Sequence, residues 1–197
     1  GFCREKSDAG RTAAAMDALA NLLKGKNHFA VSVSTNSQLL SIGSVVMPCG
    51  GWQKKQCPGG CREVLEDTTE QDGKVLQEFC AQLYEGRFPE TEAALIGTCP
   101  ECGAPLVLNN IYAENYNEEG YLAQWNLYTK WLQGTLNHRL LVLELGVGMR
   151  FPSVIRWPFE KIVFFNQKAY LCRVNEKLYQ LTKELSEKSC GISKNAI

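Results

Sequence analysis

Nine cysteines in 197 residues dominate the chemistry that this sequence could perform, and four of them form two close pairs. Cys57 and Cys61 lie in the segment QCPGGCRE, and Cys99 and Cys102 lie in the segment CPECG. Because each pair sits in a short turn next to glycine, its two thiolates can converge on one ion. Four thiolates complete the tetrahedral shell of a structural zinc ion and leave no position for a catalytic water. The spacing therefore predicts zinc as a structural cofactor, with four buried thiols as the alternative.

Composition and charge narrow the class of protein to an ordinary globular domain, or to one domain that carries an insertion. Lys and Arg number 21, as do Asp and Glu, so no net basic field predicts nucleic acid or an anionic membrane as a partner. No apolar run approaches the roughly 20 residues of a membrane-spanning helix, and the sequence shows no secretion signal at its start. We therefore expect a cytoplasmic protein with reduced thiols.

Hydrophobic periodicity predicts helices and strands in alternation. Helices are expected over 11–24, 35–43, 75–84, 118–136 and 176–188. Strands are expected over 28–34, 139–146, 161–166 and 169–175. The nearly continuous apolar run RLLVLELG is typical of a parallel strand buried on both faces. The predicted fold class is therefore α/β, with a parallel sheet over 1–44 and 117–197 and an inserted zinc-binding module over 45–116.

The order of these segments resembles the sirtuin family, and within it the microbial macrodomain-linked branch. The segment LVLELGVGMRFPSVIRWPF over 141–159 resembles the strand, Gly-x-Gly loop and Pro-bounded segment of that branch. The segment CPECGAPLVLNN is similar to its second zinc knuckle, and AYLCRVN to its late strand that ends in asparagine. The resemblance implies a Rossmann-like sheet that binds NAD, and for this branch it implies protein ADP-ribosyltransferase activity.

The same resemblance implies three cofactor-binding residues. Gly146 and Gly148 match the loop that approaches the NAD ribose and phosphate, and Asn175 matches a residue near the adenosine portion. Glycines that follow a parallel strand allow a ligand to come close to the backbone, which makes the assignment physically reasonable. A Gly-x-Gly pattern alone is weak evidence, because a plain strand-to-helix turn has the same pattern.

Three positions depart from the catalytic pattern of the family. Ser34 and Asn36 stand where the family has asparagine and aspartate, and Cys49 stands where relatives carry the catalytic histidine or glutamine. A nucleophilic thiolate at Cys49 would need a lowered pKa and a positioned base, and an ordinary thiol is the alternative. We also expect no counterpart of the family's glycine-rich first turn. No catalytic residue is therefore assigned, and NAD is expected to bind weakly or not at all.

Three functions are compatible with these features. The chain could be a catalytically inactive binding or assembly module, an active NAD-dependent ADP-ribosyltransferase or deacylase, or a partial enzyme whose nucleotide-binding half lies elsewhere. The first is preferred, because the substitutions at Ser34, Asn36 and Cys49 lie inside the segment that resembles the family. The expected partner is another protein, with a second copy of the chain as one candidate because it could cover an exposed sheet edge.

Overall fold

The computed structural model describes residues 9–35, 37–87 and 96–196, and it divides the chain into two compact units between Trp125 and Asn126. Within these ranges the α-helices are α1 (Ala9–Leu23), α2 (Glu70–Tyr84), α3 (Glu119–Gln133) and α4 (Arg156–Phe165). The strands are β1 (Ala30–Val31), β2 (Val45–Val46), β3 (Gly50–Gln56), β4 (Glu66–Asp67), β5 (Val107–Asn110), β6 (Leu140–Leu145), β7 (Ala169–Val174) and β8 (Ser189–Ile192). The 3₁₀ helices span Ser37–Ile42 and Lys183–Lys188.

The first unit begins with a small parallel pair of strands. Strand β1 pairs with β2, and Ala30 lies opposite Val45. A core cluster of Ile42, Val45 and Met47 packs against leucines of α1. The predicted strand over 28–34 is thus confirmed only in its centre, and the predicted short helix before Gly43 is confirmed as a 3₁₀ helix.

The second element of this unit is an antiparallel sheet in the order β4, β3, β5. Helix α2 follows β4 and begins at Thr69, whose side chain accepts a hydrogen bond from the backbone of Asp72 while the Asp72 carboxylate accepts one from the Thr69 backbone. This reciprocal capping box satisfies two backbone donors at the start of the helix. Beside the sheet, Ile96 and Leu106 form a cluster with two of the paired cysteines, and Leu76 of α2 packs against it.

The second unit is built on a parallel sheet in the order β6, β7, β8. One face of this sheet packs against α4 through the cluster Val142, Val163, Ala169, Leu171 and Leu185. The predicted parallel strand over 139–146 is therefore confirmed. Its predicted burial on both faces is wrong, because Leu141 on the opposite face is 63% exposed.

Two predicted elements near the C-terminus are wrong. Residues 161–166, predicted as a strand, belong to helix α4. Residues 176–188, predicted as a helix, are largely irregular, with a short 3₁₀ helix before β8. The local preference of Val163, Phe164 and Phe165 for strands concealed the helical spacing of Phe159 and Val163, which both pack against the sheet.

The described residues thus form a mixed α/β structure with a parallel sheet in each unit. A single Rossmann-like sheet over 1–44 and 117–197 stays a prediction, as does the insertion over 45–116. Within the described part of the chain, none of the helices combines the length and apolar character needed to cross a membrane.

Candidate metal centre

The four paired cysteines converge on one point. The sulfur atoms of Cys57, Cys61, Cys99 and Cys102 all lie within 4.8 Å of one another. The Cys57 and Cys61 sulfurs are 3.3 Å apart, as are those of Cys61 and Cys99, and 3.6 Å separates those of Cys57 and Cys102. A disulfide would bring two sulfurs to about 2 Å, so these are thiols. Zinc–sulfur bonds of about 2.3 Å place tetrahedral ligand sulfurs roughly 3.8 Å apart, so the donor set fits zinc.

Both cysteine pairs are shaped by glycines with positive φ. Gly60 has a φ of 66° and donates to the Cys57 carbonyl at 3.2 Å, while Gly103 has a φ of 73° and donates to the Cys99 carbonyl at 2.8 Å. This region of backbone conformation is accessible to glycine at little cost. The resulting tight turns aim the two sulfurs of each pair in one direction. The Gly-containing turns that the sequence predicted are therefore present.

The thiols of the cluster already differ in their affinity for protons. A hydrogen bond from the Cys61 thiol lowers the pKa of Cys57 to about 6, and the backbone amide of Cys102 lowers the pKa of Cys99. The same Cys57–Cys61 hydrogen bond raises the pKa of Cys61, because its proton is the one shared. A bound divalent cation would replace these shared protons by metal–sulfur bonds. Binding of a metal would therefore release protons from the cluster to the solvent.

A buried ion pair fastens the second cysteine turn to helix α2. The Lys55 ammonium on β3 lies 3.0 Å from the Asp72 carboxylate and donates to the Ile96 carbonyl at 2.9 Å. Both side chains are nearly inaccessible, at 10% and 11% exposure. Each charge is therefore neutralised and hydrogen-bonded, which a buried ion requires. The sequence analysis missed this pair.

A second polar cluster fastens the first cysteine turn to the segment before α3. The buried Asn109 amide donates to the Gln56 side-chain oxygen at 2.7 Å and to the Asn117 carbonyl at 2.8 Å. The Gln56 amide in turn donates to the Glu114 and Asn115 carbonyls. Since every amide here has a partner, the cluster specifies one arrangement of the loop around the cysteines.

Two of the three positions that depart from the catalytic pattern, Ser34 and Cys49, lie among the described residues. Cys49 is only 2% exposed, and the next residue, Gly50, has a φ of 68° and no room for a Cβ beside the Asn109 carbonyl. Ser34 is exposed, and its backbone amide donates to the Ser32 hydroxyl at 3.1 Å. Asn36 lies outside the described residues. Cys49 is thus held as a buried thiol at a fixed backbone position.

The three predicted cofactor-binding residues are brought together in the second unit. Gly146 ends β6 with a φ of 62°, and its amide donates to the Val174 carbonyl at 2.9 Å. The Asn175 side chain donates to the Val147 carbonyl at 3.0 Å and accepts from the backbone amides of Lys177 and Leu178. Nothing lies within 4 Å of a Cβ placed on Gly148. The loop is therefore held in place by Asn175, whose side-chain amide makes three hydrogen bonds to backbone atoms.

A network of buried charged residues holds the loop after β6 in place. Glu144 on β6 receives two hydrogen bonds from Arg173 on β7, at 2.8 and 2.9 Å, and lies 3.0 Å from Arg156. Arg173 also binds Glu160 at 2.7 Å. Burial alone would lower the pKa of Arg173, but these carboxylates raise it overall. Arg156 donates to the Val147 carbonyl at 3.0 Å, so the network holds the loop that follows β6.

The sequence analysis did not foresee this network, although its members carry a signal. Glu144 and Arg173 are single charges inside two otherwise apolar strands. Charged residues are rarely fully buried unless they are paired, so two such residues indicate a partner for each other. Their pairing also requires the register of β6 against β7, in which Glu144 lies opposite Arg173.

Comparison with known proteins gives two distant relatives. A protein ADP-ribosyltransferase of Staphylococcus aureus is 26% identical over 103 residues, which is 51% of this chain and 33% of that protein. A probable bifunctional ADP-ribose hydrolase/ADP-ribosyltransferase of Fusarium oxysporum f. sp. cubense is 27% identical over 121 residues, 59% of this chain and 19% of that protein. No family model matches the chain.

These relatives define what the chain is similar to. The matches span about a third and a fifth of the relatives' own lengths. The predicted likeness to ADP-ribosyltransferases is confirmed at the level of distant similarity, and the sirtuin assignment stays a prediction. The chain is distantly similar to proteins named ADP-ribosyltransferases and carries a four-cysteine cluster able to hold a metal ion.

Proposed function

We propose that this chain is a zinc-binding, ADP-ribosyltransferase-like protein that acts as a binding or assembly module without turnover of its own. The observation that carries the proposal is the convergence of Cys57, Cys61, Cys99 and Cys102 within 4.8 Å. Four thiolates fill the zinc shell, so the ion would hold the fold and take no part in a reaction. The buried Lys55–Asp72 pair supports this structural role, because it fastens one cysteine turn to α2.

Cys49, which occupies the position that the sirtuin resemblance assigns to catalysis, supports the absence of turnover. A catalytic side chain must come within about 3 Å of the reacting ribose. Cys49 is 2% exposed, and it is neither histidine nor glutamine. For Cys49 to reach a substrate, the backbone at Gly50 would have to move away from the Asn109 carbonyl, against which it packs closely. Loss of several groups that stabilise a transition state typically costs orders of magnitude in rate.

The loop after β6 supports a binding role. Arg156 and Asn175 both donate to the Val147 carbonyl, and these two hydrogen bonds hold the backbone between Gly146 and Gly148 in place. A preorganised backbone binds with less entropic cost than a mobile one. The open space beside Gly148 leaves room for a ligand or a partner segment at this loop. This support concerns binding and requires no catalytic group.

A second candidate function is ADP-ribosyl transfer from NAD, and the two relatives favour it through their names. In that reaction the bond between the ribose C1′ and nicotinamide breaks, and a new bond forms between C1′ and a nucleophile of the acceptor protein. Cys49 would then have to stand beside C1′, since the resemblance assigns it the catalytic position. The two functions differ in whether label passes from NAD to protein.

The experiment incubates the zinc-loaded chain with NAD labelled in its adenosine part and with a mixture of acceptor proteins. We expect no label on any protein above a heat-denatured control. The matched variants are Cys49→Ala and Cys80→Ala, since Cys80 is a second, half-buried thiol of the same unit. Transfer that disappears with Cys49→Ala and persists with Cys80→Ala would replace the binding-module proposal by the transferase.

A further inference from the structure

Two cysteines outside the metal centre lie side by side on neighbouring strands. Cys172 on β7 and Cys190 on β8 are direct partners in the parallel register. Directly paired residues on adjacent strands have Cα atoms roughly 4.8 Å apart, which falls inside the span of about 4.4 to 6.8 Å that a disulfide bridges. Neither residue was singled out by the spacing of the cysteines in the sequence, because 17 residues separate them.

The side chains of Cys172 and Cys190 lie on the more solvent-exposed face of the sheet formed by β6, β7 and β8. Along β7, Leu171 and Arg173 are buried against the core while Tyr170 is 41% exposed, and Cys172 alternates with the buried pair. Cys172 and Cys190 are both half-buried. Directly paired residues in this register carry their side chains on the same face of the sheet. The two cysteine side chains are therefore neighbours, and both are partly exposed.

We propose that Cys172 and Cys190 are a redox-responsive thiol pair that a hydroperoxide converts into a disulfide between β7 and β8. The proposal does not depend on the proposed function, since it needs neither a nucleotide nor the metal. The four cysteines of the metal centre belong to the other unit and bind zinc in that proposal, which protects them from the same oxidant.

The chemistry proceeds in two balanced steps. The thiolate form of one cysteine attacks one oxygen of the hydroperoxide, the O–O bond breaks, and the other oxygen leaves as an alcohol or water after taking a proton. That cysteine is now a sulfenic acid. The sulfur of the second cysteine attacks the sulfur of the first, the S–O bond breaks, and the hydroxyl leaves as water with the proton of the second thiol. Two thiols lose two electrons in total, and the peroxide gains them.

Burial raises the pKa of Cys172 to about 11, which disfavours the thiolate form of this residue. Either thiol can make the first attack, and the other then resolves the sulfenic acid. The disulfide would tie β8 covalently to β7, next to the point where the Ile192 carbonyl accepts a hydrogen bond of 3.1 Å from the Asn175 amide.

The test maps disulfides in the full zinc-loaded chain after brief treatment with hydrogen peroxide and alkylation of the remaining thiols. Trypsin cleaves after Lys168, Arg173, Lys188 and Lys194, so the two cysteines fall in the separate peptides AYLCR and SCGISK. We expect these peptides linked to each other, two hydrogens lighter than their sum, and released by dithiothreitol. The link should increase at least tenfold over the untreated chain, vanish in Cys190→Ser and persist in Cys80→Ser.

Three results would overturn the proposal. One is recovery of both peptides with alkylated thiols under conditions that oxidise a small-molecule dithiol completely. Another is a link from either peptide to a different cysteine or to a second copy of the chain. The third is either cysteine found as sulfinic acid with the other still alkylated, because a neighbouring thiol would have resolved the sulfenic acid first. The mapping on the unaltered chain decides the matter even if the serine variants fold poorly.

Discussion

The Asn175 side chain donates a 3.0 Å hydrogen bond to the Val147 carbonyl, and in this way the end of β7 holds the glycine loop that follows β6. The same side chain accepts hydrogen bonds from the Lys177 and Leu178 amides at 3.0 and 2.9 Å. All the hydrogen bonds of this amide group in the structure are therefore directed at backbone atoms. Asn175 therefore supports the loop through both ends of its side-chain amide.

Two substitutions at Asn175 distinguish the hydrogen bond that its side chain donates from the two that it accepts. Asn175→Asp keeps the acceptor for Lys177 and Leu178 but loses the donor to Val147, and each lost hydrogen bond costs about 1 kcal/mol. We expect Asn175→Asp to lower the free energy of unfolding by about 1–2 kcal/mol and Asn175→Ala by about 2–3 kcal/mol. Urea denaturation measures both. Equal stability of Asn175→Asp and the unaltered chain would show that the bond to Val147 contributes nothing.

The Lys55–Asp72 pair predicts a dependence of stability on pH. Burial would raise the pKa of Asp72, but hydrogen bonds from the Thr69 backbone and from Lys55 lower it overall. The stabilising effect of the carboxylate is therefore complete above the pKa of about 3.9 in the unfolded chain and is lost as the pH falls through the lower folded value. Asp72→Asn leaves Lys55 buried without its counter-charge, so it should cost about 3 kcal/mol at neutral pH.

The surface pair Lys54–Asp67 supplies a matched control, because its ammonium and carboxylate are 2.8 Å apart and Asp67 is 83% exposed. Asp67→Asn should change the stability little, since solvent screens exposed ion pairs. Denaturation of both variants between pH 7 and pH 3 gives the comparison. A cost of Asp72→Asn that fails to shrink at the acid end, or that equals the cost of Asp67→Asn, would rule out the buried pair as the source.

Removal of one zinc ligand should loosen a defined part of the chain. Cys99→Ser is expected to speed amide exchange in the two cysteine turns and in β3 and β5, because metal binding supplies on the order of 10 kcal/mol of folding free energy in small modules. Exchange in β6 and β7 should stay within twofold of the unaltered chain, since these strands lie in the other unit. Hydrogen exchange read by mass spectrometry, with Cys80→Ser as control, tests this. Uniform loosening of both units would contradict a local role for the metal.

The parts of the fold that the sequence predicted depend on local patterns. The cysteine turns follow from cysteines spaced two and three residues apart beside glycine, and β6 follows from an apolar run that ends in Gly146. Helix α2 was predicted over 75–84 from the spacing of its apolar face. Its first turn was missed, although the reciprocal cap between Thr69 and Asp72 is a local signal for a helix start. Such features need only neighbouring residues to form.

The features that the sequence analysis missed depend on distant partners. Strand β8 exists because Cys190 and Ile192 pair with β7, and its own four residues carry little strand preference. The burial of Glu144 is tolerated because Arg173 lies opposite it, which only the strand register reveals. The same holds for Lys55, whose partner Asp72 lies on α2. Tertiary context overrides local preference at each of these positions.

The zinc content of the intact chain tests most directly whether the four-cysteine cluster binds zinc. Native mass spectrometry on protein purified without chelator measures it. We expect one zinc ion per chain, bound with loss of cysteine protons, and no bound zinc in a variant that combines Cys57→Ser with Cys99→Ser. Cobalt in place of zinc should give the intense sulfur-to-metal absorption of a four-thiolate tetrahedral site. Less than half an equivalent of zinc, or full zinc occupancy in the double variant, would contradict the account.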